Sequence, residues 1–563
     1  MDSDSQNDAL AKEKQLLASI ADEGAATKAK TYAKLCGPGW LQSAITLGGG
    51  SLIGALGLGV IGGTGFMWVQ PFAMVLGIIM LSAIAYVTLS TGERPFVAIN
   101  QHVSPVLGWG WLIATMVANM VWCLPQFNLA FGAVTSNLAP GMSKGLPSKL
   151  VISGVLLGVA TMMIWSYGTG SRGVKLFESI LKALVGLVVL SFIGVVIALT
   201  IAKDSPLDWG AVFAGFIPDF SALFRPAPAF QAAIDQLGSE EAATWTKTIA
   251  NQQRNTIITA FGTAVGINMT FLLPYSMLKR RWGREHRGLA IFDLSTGLLI
   301  PFVIATGCLV LAAATQFHAN PENYAYAKNT GLVDSLKADI GDPAFAALEE
   351  SDAENDTSEV KSKLREKLDS LPSEQKSIIS LELMTAKRSQ LELADSLRPF
   401  TGKYISQYLF GFGVLAMALS TIVILMLING FAVCEMLGRE HSGTPFRIGC
   451  LIAGCVGFFG PIAWGKLGPW LVMPTSVLGF SMLPIAYVAF LFLMNSKNLL
   501  GENMPTGSRR IKWNLLMILS ASVATLGSAW ASYGKIGWAG PGLIAAVGIA
   551  TALTWRGGGK ATS

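Results

Sequence analysis

Twelve long apolar runs constrain the fold of this sequence more than any other feature. Each has roughly 18 or more residues with few charged side chains, enough to cross a bilayer as a helix. Charged residues make up 13% of the chain, about half the usual share for soluble proteins. The sequence therefore predicts an all-α polytopic membrane protein. It excludes a disordered chain, a disulfide scaffold and an ordinary soluble enzyme. The last run is short and glycine-rich, so the prediction is 11–12 transmembrane helices, at 40–62, 67–90, 108–134, 150–168, 179–202, 255–278, 290–315, 403–434, 446–464, 468–494, 513–533 and 540–556.

Basic residues indicate the orientation of these runs. They concentrate in alternate loops, which all lie on one side of the membrane if the N-terminus is cytoplasmic. The longest loop on the other side is rich in Asp and Glu. We expect an integral protein of the cell membrane (plasma or bacterial inner) with a cytoplasmic N-terminus. The basic residues are Lys28, Lys30, Lys34, Arg172, Lys175, Lys279, Arg280, Arg281, Arg284, Arg287, Arg439, Arg447, Arg509, Arg510 and Lys512.

The runs and loops divide the chain into seven segments. The 316–402 segment has helical apolar spacing with a break at Pro372, and predicts a helical insertion outside the membrane. The expected segments are a cytoplasmic N-terminal segment (1–36), spans 1–5 as a first repeat (37–202), an extracytoplasmic loop (203–254), spans 6–7 (255–315), the insertion (316–402), spans 8–10 completing the second repeat (403–496), and spans 11–12 with the C-terminal tail (497–563).

Ionisable residues within membrane spans usually mark function, and here they are almost absent. Glu178, Asp293 and Glu435 lie near span ends, and the middles of the twelve runs contain no Asp, Glu, Lys or Arg. None of the four histidines falls mid-span, and the six cysteines show no metal-ligand spacing. The sequence therefore predicts no metal site of charged ligands, no cofactor and no enzymatic activity. A carboxylate or imidazole proton relay has no evident members.

Two candidate helix interruptions remain. Span 1 contains Gly48, Gly49 and Gly50 followed by Ser51, and each glycine disfavours helix by about 1 kcal/mol relative to alanine. Span 6 contains Pro274, which removes a helical hydrogen-bond donor. Interrupted first and sixth helices predict a transporter of two inverted five-span repeats with its site at the membrane midplane. The alternative is a glycine-rich packing face of the GxxxG type together with an ordinary proline kink.

Several segments, taken together, resemble one family. GPGWLQSAITLGGGS in span 1, FESILKALVGLVVLSF in span 5, FDLSTGLLIPFVIATGCLVLAAAT in span 7, LFGFGVLAMALSTIVILMLINGFAVCEMLG in span 8 and MLPIAYVAFLFLMNSKNLLGE in span 10 resemble, in order and spacing, the Nramp (natural resistance-associated macrophage protein) metal-ion transporters. The resemblance covers nearly all spans. It implies the LeuT-type fold of 5+5 inverted repeats with broken helices 1 and 6, and transport by alternating access.

The residues that carry this family's chemistry are replaced. The resemblance places its Asp-Pro-Gly-Asn on Gly48, Gly49, Gly50 and Ser51, and its Met-Pro-His on Leu273, Pro274 and Tyr275. The proton-route motif of span 3 falls on a segment that includes Trp122 and Gln126, and a glutamine of span 10 is matched by Met482. Carbonyls at the breaks, with Ser51, Thr270 and Met482, supply dipoles without charge. This pattern argues against tight binding of dehydrated Mn²⁺ or Fe²⁺, because the ion's desolvation stays uncompensated.

Three functions remain open. The resemblance implies a transporter of a metal cation, here a partly hydrated one held by neutral oxygens. The residues favour a neutral, zwitterionic or anionic organic solute, since free N–H groups at a helix break suit a carboxylate and Trp122, Leu273, Tyr275 and Met482 would line an apolar pocket. The third is a receptor or scaffold that retains the fold without transport. The expected partners are a small solute and the lipid bilayer, with no nucleic acid.

Overall fold

The computed structural model describes residues 2–20, 22–167, 171–201, 207–319, 372–386, 388, 393, 396–397, 404–463 and 481–556. The regular elements in these residues are helices. The α-helices are α1 (Asp2–Ser19), α2 (Ala25–Leu35), α3 (Pro38–Thr46), α4 (Gly49–Gly62), α5 (Val69–Thr91), α6 (Pro95–His102), α7 (Pro105–Gly132), α8 (Leu146–Tyr167), α9 (Ser171–Ile201), α10 (Trp209–Ala214), α11 (Gln231–Ile234), α12 (Ser239–Ala264), α13 (Ile267–Lys279), α14 (Arg287–Asp293), α15 (Ile300–Phe317), α16 (Ser373–Thr385), α17 (Phe410–Met436), α18 (Gly443–Phe458), α19 (Leu483–Met494), α20 (Lys497–Leu500), α21 (Gly507–Ile536) and α22 (Ala539–Leu553).

The membrane-spanning architecture predicted from the apolar runs is confirmed. Within the described residues, ten helical segments are long and apolar enough to cross a membrane. An eleventh is the pair Leu483–Met494 and Lys497–Asn503, which is bent by 64°. The last apolar helix, Ala539–Leu553, has 15 residues. Residues 464–480 lie outside the described residues, and they include the first part of predicted span 10, 468–480.

Local sequence signals set many helix ends. Pro38, Pro95 and Pro105 each occupy the first turn of a helix, where the missing N–H would have no helical partner. Ser104 caps α7 by accepting a hydrogen bond from the Val106 N–H. Gly92 ends α5 in the left-handed conformation, with φ of 68°. These local signals therefore fix where α3, α6 and α7 begin and where α5 ends.

The packing follows the expected repeat. In the first repeat, α4 packs against α15, the seventh span; in the second, α13 packs against α5, the second span. Each half-helix that follows a break therefore lies on a span of the opposite repeat. At the centre, α17 packs against α3, α7, α9 and α18, and almost all of its residues are buried. The breaks therefore lie inside the bundle, where surrounding helices shield their backbone from lipid.

The described part of the predicted insertion contains one helix, α16. Helix α16 begins directly after Pro372, and Glu374 Oε1 accepts a hydrogen bond from the Gly238 N–H at 3.1 Å. The Ser377 hydroxyl donates to Gln236 Oε1 at 2.9 Å. Helix α16 therefore docks on the segment just before α12. Most of predicted segment 316–402 lies outside the described residues.

Candidate functional site

The first break lies where the glycine cluster predicts it, but for a different reason. Helix α3 ends at Thr46 and α4 begins at Gly49, with Gly48 extended at φ −117° and ψ −179°. Any residue adopts these angles, so Gly48 is not required for its backbone freedom. A Cβ atom there would lie 2.6 Å from Thr421 Oγ1. Gly48 therefore allows the break to approach α17 closely.

The second break is real, but the predicted position at Pro274 is wrong. Helix α12 ends at Ala264, and α13 begins at Ile267 and continues through Pro274. Val265 is extended at φ −134° and ψ 114°, a conformation that suits a β-branched residue. Gly266 follows with ψ of 164°. The interruption therefore lies eight residues before the proline.

Hydrogen bonds connect the two breaks directly. The Ser51 hydroxyl lies 2.6 Å from the Thr46 carbonyl oxygen, at the end of α3. It also lies 3.1 Å from the Thr263 carbonyl oxygen, at the end of α12. On the other side, the Thr46 hydroxyl lies 3.0 Å from Met269 Sδ, in the first turn of α13. The four half-helices thus meet at one point, as the repeat architecture predicts.

One face of α7 covers this meeting point. Trp111, Thr115, Asn119, Trp122 and Gln126 recur at helical spacing and share that face. Trp111 Nε1 donates to Thr270 Oγ1 at 2.9 Å, and Gln126 Oε1 accepts from the Gly49 N–H at 3.0 Å. The Trp122 ring lies 3.4 Å from the position of a Cβ on Gly266. The third span therefore contacts both breaks, with Thr115 and Asn119 between these contacts.

Several unpaired polar atoms belong to residues at the breaks or on the elements that border them. The carbonyl oxygens of Leu47 and Val265, one at each break, accept no hydrogen bond from any described residue, although both residues are almost fully buried. The Thr115 hydroxyl and the side-chain amides of Gln42 and Asn119 also lack partners among the described residues. Buried polar groups normally have partners. These atoms therefore mark where a ligand or water is expected to bind.

The described residues that contact the breaks carry no formal charge. The side chains that bond to break residues, among those described, are hydroxyls, amides and a thioether. No group of three or more His, Cys, Asp or Glu able to hold a metal ion occurs in the described residues. Asp293 lies at the far end of α3, where its Oδ2 accepts the N–H groups of Gly37 and Gly39 at 3.1 and 2.6 Å. As far as the described residues form it, the site therefore presents dipoles without formal charge.

The structure brings seven of the eleven predicted site residues together at the breaks. The other four, Leu273, Pro274, Tyr275 and Met482, lie elsewhere. Leu273 and Pro274 lie about two turns into α13. Tyr275 packs on the His441 ring, with centroids 5.1 Å apart, towards the end of α17. Met482 lines an apolar cavity of about 1290 Å³ between α7, α19, α21 and α22. The residues at the breaks are Gly48, Gly49, Gly50, Ser51, Trp122, Gln126 and Thr270.

Sequence reasoning missed residues that the structure places at the site. Gln42, Thr115, Asn119 and Asn268 are buried polar residues within or beside predicted spans, and Met269 lies three residues after Gly266. A search for ionisable residues passes over neutral amides and hydroxyls. Counting them in the apolar runs would have found the polar face of α7. Met269 places a thioether at the second break. The resemblance to the family had matched the methionine of its Met-Pro-His motif to Leu273, which has no sulfur.

Comparisons with known proteins agree with this architecture. A family model described as natural resistance-associated macrophage protein-like (Nramp) matches residues 39–344 and 382–530. The chain is similar to the solved manganese transporter of Eremococcus coleocola in complex with an aromatic bis-isothiourea substituted compound, with TM-score 0.62, 14% identity, and coverage of 94% of this chain and 96% of that one. A mutant of that transporter matches with TM-score 0.62, 14% identity, and coverage of 93% and 94%. No curated protein matches the sequence significantly.

Proposed function

The chain belongs to the Nramp family, and on that premise we propose that it moves a small solute across the membrane by alternating access, through the uncharged site between its two helix breaks. The family consists of transporters rather than enzymes. Because of its family and its apolar helices, the chain is an integral membrane protein. We further propose that the N-terminus is cytoplasmic, which places the ends of α13 and α17, with Lys279 and Glu435, on the cytoplasmic side.

The unpaired carbonyls of Leu47 and Val265 are the observation that carries the substrate proposal. Each follows the C-terminal end of a half-helix, where the helix dipole places partial negative charge. At the opposite ends, two N–H groups have side-chain partners, because Gly49 donates to Gln126 Oε1 and Met269 to Asn268 Oδ1. Acceptors without partners therefore face the breaks, and acceptors favour a cation.

No carboxylate occurs among the described residues that contact the breaks, and this limits how such a cation binds. Stripping water from a divalent ion is costly, and neutral dipoles offset only part of that cost. We therefore propose as substrate a divalent metal cation that keeps part of its hydration shell, with its waters held by carbonyl, hydroxyl and amide oxygens. The similar Eremococcus coleocola protein is a manganese transporter. In this chain, Met269 adds a polarizable thioether that favours softer metals.

One observation favours a second candidate, a neutral or zwitterionic organic solute. The amides of Gln42 and Asn119 leave N–H₂ donors as well as oxygen acceptors unpartnered. A cation with water ligands satisfies the acceptors but not these donors. A solute with its own carbonyl or carboxylate group would satisfy both.

Uptake into proteoliposomes tests the proposal. The purified chain is reconstituted, and influx of Mn²⁺, Mg²⁺ and Cd²⁺ is compared with that of neutral and acidic amino acids. We expect divalent metal influx, and we expect Met269→Leu to lower Cd²⁺ influx more than Mg²⁺ influx. Met277→Leu is the matched control, since Met277 is buried in the same helix. Influx of amino acids alone would favour the second candidate, and no influx of any solute would favour a receptor.

A further inference from the structure

We propose that the apolar cavity between α7, α19, α21 and α22 binds the acyl chains of an anionic phospholipid, whose phosphate group lies at Lys535. The cavity has a volume of about 1290 Å³. On α7 it is lined by residues such as Gly110 and Val117. These lie on a different side of the helix from Trp111 and Gln126, which contact the breaks. Lipid binding here is therefore separate from whatever solute the chain transports.

The wall of the cavity is apolar and open towards the bilayer. Ile113, Ile536 and Leu543 line it, and their side chains are 53%, 59% and 65% exposed. In a chain that spans a membrane, such surfaces contact hydrocarbon, because the bilayer core holds no water. An apolar hollow of this size between spanning helices is therefore filled by acyl chains.

The length of the cavity matches one leaflet of the bilayer. Gly540 and Ala552 of α22 both line the cavity, and the helix rises about 18 Å between them. The hydrocarbon core of a bilayer is about 30 Å thick, so the acyl chains of one leaflet extend over about 15 Å. The spanning helix of a partner would have to cross both leaflets. One phospholipid, with its headgroup at one end, is the better match.

One end of the cavity lies at the membrane surface. Lys535 is in the last turn of α21, just before the turn that leads into α22. The rings of Tyr533 and Trp538 flank it, with centroids 5.1 Å apart, and both are exposed. Exposed Tyr and Trp side chains are typical of the level of the lipid headgroups. Lys535 therefore lies where a headgroup would be.

The polar side chains of the cavity concentrate at this same end. Lys535 is the one charged residue among the described residues that line the cavity, and no ion pair between described residues includes it. Ser532, one turn deeper, bonds to Ser481 at 2.9 Å. The hydroxyls of Thr525 and Thr551 donate to carbonyls of their own helices. A positive charge above two hydroxyls and a long apolar wall fits a phosphate above ester groups and acyl chains.

Native mass spectrometry of the full chain, released from detergent micelles, tests the proposal. The purified protein is titrated with palmitoyl-oleoyl phosphatidylglycerol, and in parallel with the phosphatidylcholine of the same chains. We expect saturable binding of one phosphatidylglycerol, about fivefold tighter than phosphatidylcholine, since one lysine near a membrane surface contributes about that factor. Lys535→Gln should remove this preference. Lys144→Gln, which changes an exposed lysine outside the cavity, should retain it.

A second pair of variants tests the position of the acyl chains. Gly548 lines the cavity, and a Cβ there would meet no atom within 4 Å. Gly548→Leu therefore fills part of the cavity, while leucine favours the helix more than glycine does, and it should weaken the binding of both lipids. Gly542→Leu is the matched control, because Gly542 lies in the same helix, also in open space, but is not among the lining residues.

Three results would overturn the proposal. They are equal binding of the two lipids by the wild type, unchanged lipid binding in Gly548→Leu, and a lipid-free dimer as the main species, which would mean that a second copy covers the cavity. Because no transport is measured, a failure here is distinct from a failure of the transport assay.

Discussion

The hydroxyl of Ser51 lies 3.1 Å from the carbonyl oxygen of Thr263, so the half-helix after the first break is tied to the half-helix before the second. The same hydroxyl lies 2.6 Å from the Thr46 carbonyl. The hydroxyl of one side chain thus contacts carbonyl oxygens at the ends of half-helices from both interrupted spans. In a protein that alternates between two arrangements, this contact has to change when either half-helix moves.

Replacing Ser51 with alanine should therefore affect both stability and transport. Ser51→Ala removes the one hydroxyl proton that lies near two buried carbonyls, which costs about 1–3 kcal/mol. We expect a lower melting temperature and reduced Mn²⁺ influx. The matched control is Ser295→Ala, because the Ser295 hydroxyl bonds only to Ile291 of its own helix in an exposed position. Equal melting temperatures for the two variants would contradict the role assigned to Ser51.

Alanine at Gly49 should be harmful because of contacts rather than backbone angles. A Cβ at Gly49 would lie 3.0 Å from Leu129 Cδ2 and 3.1 Å from Gln126 Oε1, the atom that accepts the Gly49 N–H. We expect Gly49→Ala to lower the melting temperature and the bulkier Gly49→Val to abolish influx. Gly158→Ala, in open space within α8, should be neutral or stabilise by up to about 1 kcal/mol. A neutral Gly49→Ala variant would show that the Gln126 contact is loose.

Cys36 should be unreactive at neutral pH. Burial, and next the negative charge of Asp293, raise the pKa of the Cys36 thiol to about 12. The folded state thus favours the protonated thiol, and this contribution to stability is present below the usual pKa near 9 and lost as pH rises towards 12. Since only the thiolate reacts, alkylation of Cys36 by iodoacetamide, followed by peptide mass spectrometry, should keep accelerating up to about pH 12.

Asp293→Asn provides the control for this pH profile. It removes the charge while leaving an oxygen for the N–H groups of Gly37 and Gly39. We expect Cys36 to react faster at any given pH below about 12 in this variant. A profile that levels off near pH 9 in the wild type would mean that the thiol is solvated.

The buried carboxylate of Glu435, in the last turn of α17, should contribute to the free energy of unfolding. Its Oε1 lies 3.3 Å from Arg94 Nη1 and 2.7 Å from His441 Nε2, and its side chain is 1% exposed. Glu435→Gln weakens both contacts, and we expect a loss of about 1–2 kcal/mol, the lower part of the range for hydrogen bonds to charged groups. The exposed Glu440→Gln is the control. Chemical unfolding that gives equal midpoints would indicate that neither partner stabilises Glu435.

The two breaks differ in how well the neighbouring sequence predicts their positions. Three glycines together weaken the helix at the first break whatever surrounds them, so its position follows from Gly48 to Gly50 directly. At the second, Pro274 is the stronger local signal, yet the helix continues through it. The interruption at Val265 and Gly266 is held by contacts from Ser51 and Trp122. Those residues lie more than a hundred positions away, and nothing near Gly266 reveals them.

The sequence by itself determined the membrane architecture, because runs of some 20 apolar residues must form helices once they leave water. It also determined that the spans carry almost no charge. Only the tertiary structure decided which neutral groups serve the site. Gln42, Asn119 and Met269 look like ordinary residues of their spans, and become candidates when folding buries them, two with unpaired polar atoms and one against Thr46. The cost of leaving a polar atom without a partner depends on where the other helices lie, and so it cannot be read along the chain.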